Sequence, residues 1–199
     1  HAGARGIRIA GMLAESLESR PTVSLWLGAT VLAVFSDGVV GIQRPGGYFL
    51  VKPGKLLVAA GAREKSLPFP GCTLPGVYGA GAFQTLVNRD LIRCSERIFV
   101  LGGGNVGLIG AYHALQAGMK VVGIAEGAPR CGGYKVHADK IRRMGVPIYT
   151  GHSVLAAHGG ERLEAVTICR VDSRFNVIPG TESSFAVDTL LVALPVLLL

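Results

Sequence analysis

Apolar and polar positions fall into two rhythms along the chain. Residues 7–19, IRIAGMLAESLES, space their apolar positions as a helix does and end before Pro21, which predicts a helix with a natural stop. Short β-like runs follow: TVSLWLGATVLAVF, GVVGIQ, YFLV and KLLVAA. Ser36-Asp37-Gly38 and Pro45-Gly46-Gly47 separate them as turns. This pattern predicts a small antiparallel meander and then one buried strand at Leu56–Ala60. Residues 63–76, REKSLPFPGCTLPG, are rich in proline and read as a linker. GAFQTLVNRDLIRC, residues 81–94, is a helix candidate.

From Arg97 the rhythm alternates. A strand at Arg97–Leu101 is followed by a helix at Asn105–Ala117, closed by Gly118. A strand at Val121–Ala125 precedes a helix at Lys135–Met144, closed by Gly145, and a strand at Val146–Thr150. Strand–helix alternation implies a parallel sheet covered by helices. Beyond it lie strands without helices: SVLAAH, LEAVTICRV, SSFAV and TLLVAL, punctuated by Gly159-Gly160 and Pro179-Gly180. The fold class expected is α/β, a Rossmann-like parallel sheet with helices and an antiparallel β-meander.

Composition supports a packed core: 199 residues, 49% hydrophobic and 17% charged. The net charge of +7 invites a nucleic-acid reading, but the basic residues are dispersed and no aromatic residues interleave with them, so no nucleic-acid partner is expected. Cys72, Cys94, Cys131 and Cys169 form no CxxC pair. They read as reduced thiols in a cytoplasmic protein, neither a disulfide framework nor a zinc site. The scattered His137, His152 and His158 propose no metal centre, and His113 reads as an ordinary helix histidine. The opening residues lack the apolar core of a signal peptide. The closing TLLVALPVLLL is far short of the ~20 residues that span a bilayer, so a buried strand is expected there.

Gly102-x-Gly104-x-x-Gly107 carries the candidate chemistry. The pattern alone is weak in a chain with 29 glycines. Its place, after a strand and opening a helix, is what dinucleotide binding requires. Gly102 permits the turn off the strand, Gly104 bares the backbone for a pyrophosphate, and Gly107 lets the helix approach the sheet. With Gly103, Asn105 and Val106 these residues form the candidate phosphate loop at a helix N-terminus. Glu126 ends the next strand, near the expected spacing of ~20 residues, where a carboxylate accepts adenosine ribose hydroxyls. It argues for NAD(H) over NADP(H), whereas Arg130, with Lys135 nearby, could instead hold a 2′-phosphate. The bland alternative is a glycine-rich turn that binds nothing.

KLLVAAGAREKSLPFPG, LPGVYGAGAFQTLVNR, VLGGGNVG and GYKVHADKIRRMGVPIYTG together resemble the FAD-dependent pyridine nucleotide-disulfide oxidoreductase family. They look closest to the branch with the large subunits of heteromeric sarcosine oxidase, cyanide-forming glycine dehydrogenase and dye-linked proline or opine dehydrogenases. Ala59-Ala60-Gly61 stands where that family has Ala-Thr-Gly. The resemblance implies an FAD domain interrupted by an NAD domain, with hydride transfer between nicotinamide and flavin in the intact protein. It further implies a partial FAD-domain segment at residues 1–66, a linker and helix at 67–95, and the NAD(P)-binding domain at 96–199. Gly61 would be a flavin contact or an ordinary turn glycine. The family's first GxGxxG and late Gly-Asp segment are not found in this sequence, so it is expected to be a piece of a longer flavoprotein subunit, inactive alone. The partners expected are NAD(H) and the flavin-domain remainder or a partner subunit, in a hetero-oligomer. The family's redox cysteine pair is missing, and no acid, base or nucleophile is assigned. A different class remains open: a non-catalytic structural or interaction subunit with a vestigial nucleotide fold.

Overall fold

The computed structural model describes residues 3–194 and 196–198. Contacts divide the chain into two units, His1–Val58 and Ala59–Leu199. Residues 67–95 pack within the second unit.

In the first unit, helix α1 spans Gly6–Glu18 and buries none of its residues. Strands β1 (Thr30–Val34), β2 (Val40–Arg44) and β3 (Gly47–Val51) form the expected antiparallel meander. The Asp37 carboxylate accepts the Val39 N–H at 3.1 Å and fixes the first turn. Gly41 on β2 leaves room for Tyr48 on β3, whose hydroxyl would lie 1.8 Å from any Cβ there. The Arg44 guanidinium stacks over Trp26 at 4.1 Å and Phe49 at 4.6 Å, a cation–π cluster.

The strand expected at Leu56–Ala60 does not form. Leu56, Leu57 and Val58 are exposed, Leu57 at 90%. An apolar run becomes a strand only where a neighbouring edge takes up its N–H and C=O groups. Among the described residues, no strand lies beside it.

The second unit begins with β4 (Ala62–Glu64), β5 (Val77–Gly79) and the short helix α2 (Ala80–Gln84). A π-helical turn at Thr85–Arg89 ends the helix short of the expected Cys94, and Leu91 then turns left-handed at φ 55°. The Glu64 carboxylate accepts the Gly81 N–H at 2.5 Å at the start of α2.

Next come β6 (Arg97–Leu101), α3 (Asn105–Gln116), β7 (Lys120–Glu126), α4 (Lys135–Arg143) and β8 (Ile148–Thr150). The antiparallel strands β9 (His152–His158), β10 (Ala165–Arg170) and β11 (Ser183–Ala186) follow, then β12 (Thr189–Val192) and β13 (Val196–Leu198). The parallel sheet runs β5-β12-β6-β7-β8, so the late strand β12 inserts beside β6. Strand β13 pairs antiparallel with β4. The closing apolar run is thus strand at 189–192 and 196–198, while residues 195 and 199 lie outside the described residues.

Alternation along the central strands builds three layers. Ile98 and Val100 of β6 pack with Leu108, Ala111 and Ala114 of α3 and Ile141 of α4. Phe99 and Leu101 point the other way, into a second core with Val154, Val166 and Ile168 of the antiparallel sheet. A strand buried on both faces reads as a continuous apolar run, as RIFVL does. Gly118 and Gly145 close α3 and α4 at φ 76° and 82°.

Two polar contacts fix the edges of this frame. The Asp188 carboxylate accepts the Ser95 hydroxyl at 2.6 Å and the Glu96 N–H at 2.9 Å, which anchors β12 to the start of β6. Asn88 donates its side-chain amide to His113 Nδ1 at 3.1 Å, in keeping with an ordinary helix histidine. Burial lowers the pKa of that ring.

Candidate functional site

The end of β6, the start of α3 and the end of β7 surround a cleft of about 670 Å³. Each glycine of the loop between β6 and α3 has a different surrounding. Gly102 is left-handed at φ 112°, and a Cβ there would lie 2.3 Å from the Ala193 carbonyl oxygen. A Cβ on Gly107 would meet the Gly102 oxygen at 2.0 Å. One on Gly103 would press on Glu126, with Cβ and Oε2 both at 3.0 Å. Gly102 and Gly107 are therefore required by internal packing, against backbone that has no room to give, while Gly103 sits in tight contact with the Glu126 side chain.

Gly104 is not. Its backbone is extended, at φ −73° and ψ 174°, which any residue adopts. A Cβ there would have no heavy atom within 4 Å. The fold leaves this position bare on the cleft wall without needing it bare.

Gly104 is also the N-cap of α3, and no side chain caps that helix. The helix therefore presents its first-turn N–H groups and the positive end of its dipole beside the cleft. Asn105 ties a second loop to this start, because its side-chain oxygen accepts the Tyr134 N–H at 2.7 Å. The Gly133 N–H donates to the Gly103 carbonyl at 3.1 Å.

Val106 is 41% exposed and lines the cleft. The buried face of α3 is formed by Gly107, Leu108, Gly110, Ala111 and Ala114.

Glu126 is half-buried at the cleft edge. Its Oε2 accepts the Gly103 N–H at 2.7 Å and its Oε1 the Ala128 N–H at 2.8 Å. Each carboxylate oxygen has a second lone pair, so acceptor capacity remains. Arg130 is exposed in the loop after β7. Gly61 is exposed and left-handed at φ 87°, which is the conformation a turn glycine serves.

The structure adds residues that sequence reading missed: Leu67, Gly132, Ser153, Phe175 and Leu194 also line the cleft. The Gly132-Gly133 doublet was a visible signal. A Cβ on Gly133 would lie 2.8 Å from the Asn105 backbone nitrogen, so the second loop closes on α3 only with glycine there.

All four cysteines are free. Burial pushes the Cys94, Cys131 and Cys169 thiols up, and at Cys131 it outweighs the pull of Arg142. No group of three or more potential metal ligands occurs among the described residues. Nor, among them, is any helix long and apolar enough to cross a membrane.

Residues 3–194 match the family model described as pyridine nucleotide-disulphide oxidoreductase. The chain belongs to that family. Hydrogen cyanide synthase subunit HcnB of Pseudomonas aeruginosa is 26% identical over 161 residues, covering 69% of this chain and 34% of the relative. Sarcosine oxidase subunit alpha of Rhizobium meliloti is 27% identical over 172 residues, covering 77% of this chain and 17% of the relative. The chain thus spans about a third or less of the length of these curated relatives. The fold is shared with T. acidophilum thioredoxin reductase, with a TM-score of 0.68 at 17% identity, covering 97% of this chain and 60% of that one.

Proposed function

We propose that residues 96–199 are the NAD(H)-binding domain of a flavin-dependent oxidoreductase subunit. The observation that carries this is Gly104. Packing explains Gly102 and Gly107, and Gly103 lies tight against the Glu126 side chain, whereas Gly104 faces open cleft in a conformation open to every residue. A bare backbone there serves a ligand that must come close. The uncapped N-terminus of α3 supplies N–H donors suited to an anion, so the residues present fit a dinucleotide pyrophosphate.

In this reading Gly102, Gly103, Gly104, Asn105, Val106 and Gly107 hold the pyrophosphate, and Glu126 takes the adenosine ribose. The Glu126 carboxylate disfavours a 2′-phosphate, which makes the cofactor NAD rather than NADP. Arg130 lies at the adenosine end. Residues 1–66 are the rear of a split FAD domain, with Gly61 against the flavin nucleotide and 67–95 as the connection. The apolar face of α1, with Ile7, Met12, Leu13 and Leu17 exposed, supports a larger domain around that segment.

Hydride exchange between nicotinamide and flavin is the chemistry these cofactors supply when both are bound. The chain's own residues bind and orient, and none serves as acid, base or nucleophile. The relatives named as subunits support a hetero-oligomer. Free thiols suit a reducing compartment such as the cytoplasm.

The test is a fluorescence titration of the chain with NADH and NADPH. Saturable NADH binding that Gly104→Asp abolishes, with NADPH weaker, supports the proposal. No binding of either favours a non-catalytic interaction subunit. The chain is expected to reduce no dye with NADH alone.

A further inference from the structure

Phe175 stands at the cleft in a conformation that phenylalanine disfavours. Its φ is 63°, the left-handed region, yet the residue is neither glycine nor asparagine. It is also 66% exposed. A large apolar side chain held in strain and turned mostly to water gains the fold little, since glycine would relax the backbone and remove the exposed surface.

The loop that presents it is firmly built. Val171 and Val177 bridge its base. The Asp172 carboxylate accepts the Arg174 N–H at 2.8 Å, the Asn176 N–H at 2.9 Å and the Asn176 side-chain amide at 3.0 Å. The Phe175 N–H donates to the Asp172 carbonyl at 3.0 Å.

The ring rests on Gly127, the residue after Glu126. A Cβ on Gly127 would lie 2.8 Å from Phe175 Cε1 and 3.1 Å from Cδ1. Phe175, Glu126 and Gly127 thus share one stretch of the cleft wall. An exposed aromatic face beside a carboxylate with spare acceptor capacity matches a nucleoside: a planar base for the ring and a sugar for the carboxylate.

We propose that Phe175 is a binding residue for the adenine ring, which stacks on it at the end of the cleft marked by Glu126. This rests on the dinucleotide reading above and names the residue that takes its base. The loop between β10 and β11 then contributes to affinity as well as the loop between β6 and α3.

Calorimetry of the full chain with NADH, ADP-ribose and reduced nicotinamide mononucleotide tests it. Phe175→Ala is expected to weaken NADH and ADP-ribose roughly tenfold, as loss of one aromatic–base stack does, and to leave the mononucleotide unchanged. Phe175→Trp is expected to keep the affinity. Phe175→Gly is expected to melt no lower than the parent chain while binding NADH as weakly as Phe175→Ala, which separates a binding role from a folding one. NADH affinity unchanged in Phe175→Ala, or mononucleotide affinity falling equally, overturns the role of Phe175 and leaves the dinucleotide reading standing. A parent chain that binds neither NADH nor ADP-ribose overturns both.

Discussion

Glu126 and Gly103, on different segments of the chain, are joined by a hydrogen bond of 2.7 Å from the glycine N–H to the carboxylate. The other carboxylate oxygen accepts the Ala128 N–H at 2.8 Å, so one side chain braces both loops at the cleft. Glu126→Gln keeps one acceptor but sets an NH2 group against a backbone N–H. It is expected to cost about 1–3 kcal/mol, the range for a charged hydrogen bond replaced by an unmet donor. Urea unfolding followed by circular dichroism reads this. An unchanged midpoint would mean the carboxylate does not brace the loops.

Gly104 and Gly107 separate ligand binding from folding. Gly107→Ala puts a methyl group against the Gly102 carbonyl, where 2.0 Å is available, so α3 must move off the sheet. The expected loss is about 1–3 kcal/mol or more, as for other overpacked sites. Gly104→Ala places its methyl in open space and is expected to change stability by less than about 0.5 kcal/mol. Thermal melts of the two variants check the contrast. Equal losses would show that position 104 is packed after all.

The loop between β6 and α3 was legible because three independent signals coincide there: an apolar strand, spaced glycines and a helix period. The segment Leu56–Ala60 misled because periodicity reports apolarity without reporting whether a partner edge exists. The Glu126–Gly103 bond and the left-handed Phe175 left no local trace. One depends on a contact between distant segments, and the other on a loop conformation that Asp172 imposes from its side chain.

Cysteine reactivity follows from burial. The Cys94, Cys131 and Cys169 thiols have pKa values raised above the ordinary, so their thiolate fraction at neutral pH is small. A thiol reagent is expected to label these three slowly in the folded chain and rapidly in denaturant, read by mass spectrometry of the labelled peptides. Fast labelling of Cys131 in the folded chain would contradict the raised pKa of this half-buried thiol.

Asp188 sets the acid response of the sheet. Burial acts to raise its pKa, but donors from Ser95, Glu96, Arg97 and Thr189 outweigh that and hold it below the ordinary value. A carboxylate with a depressed folded pKa contributes stability that is fully present above the unfolded value, about 3.9, and is lost as pH falls through the lower folded value. Asp188→Asn removes the charge while keeping the shape. It is expected to cost about 1–3 kcal/mol at neutral pH. As pH falls below about 4, protonation removes the same charge from the parent chain, so the two stabilities should converge. Urea midpoints of both chains, measured from neutral pH to strongly acid, follow the gap. A gap constant across that range would mean the bonds from Ser95 and Glu96 do not depend on the charge of Asp188.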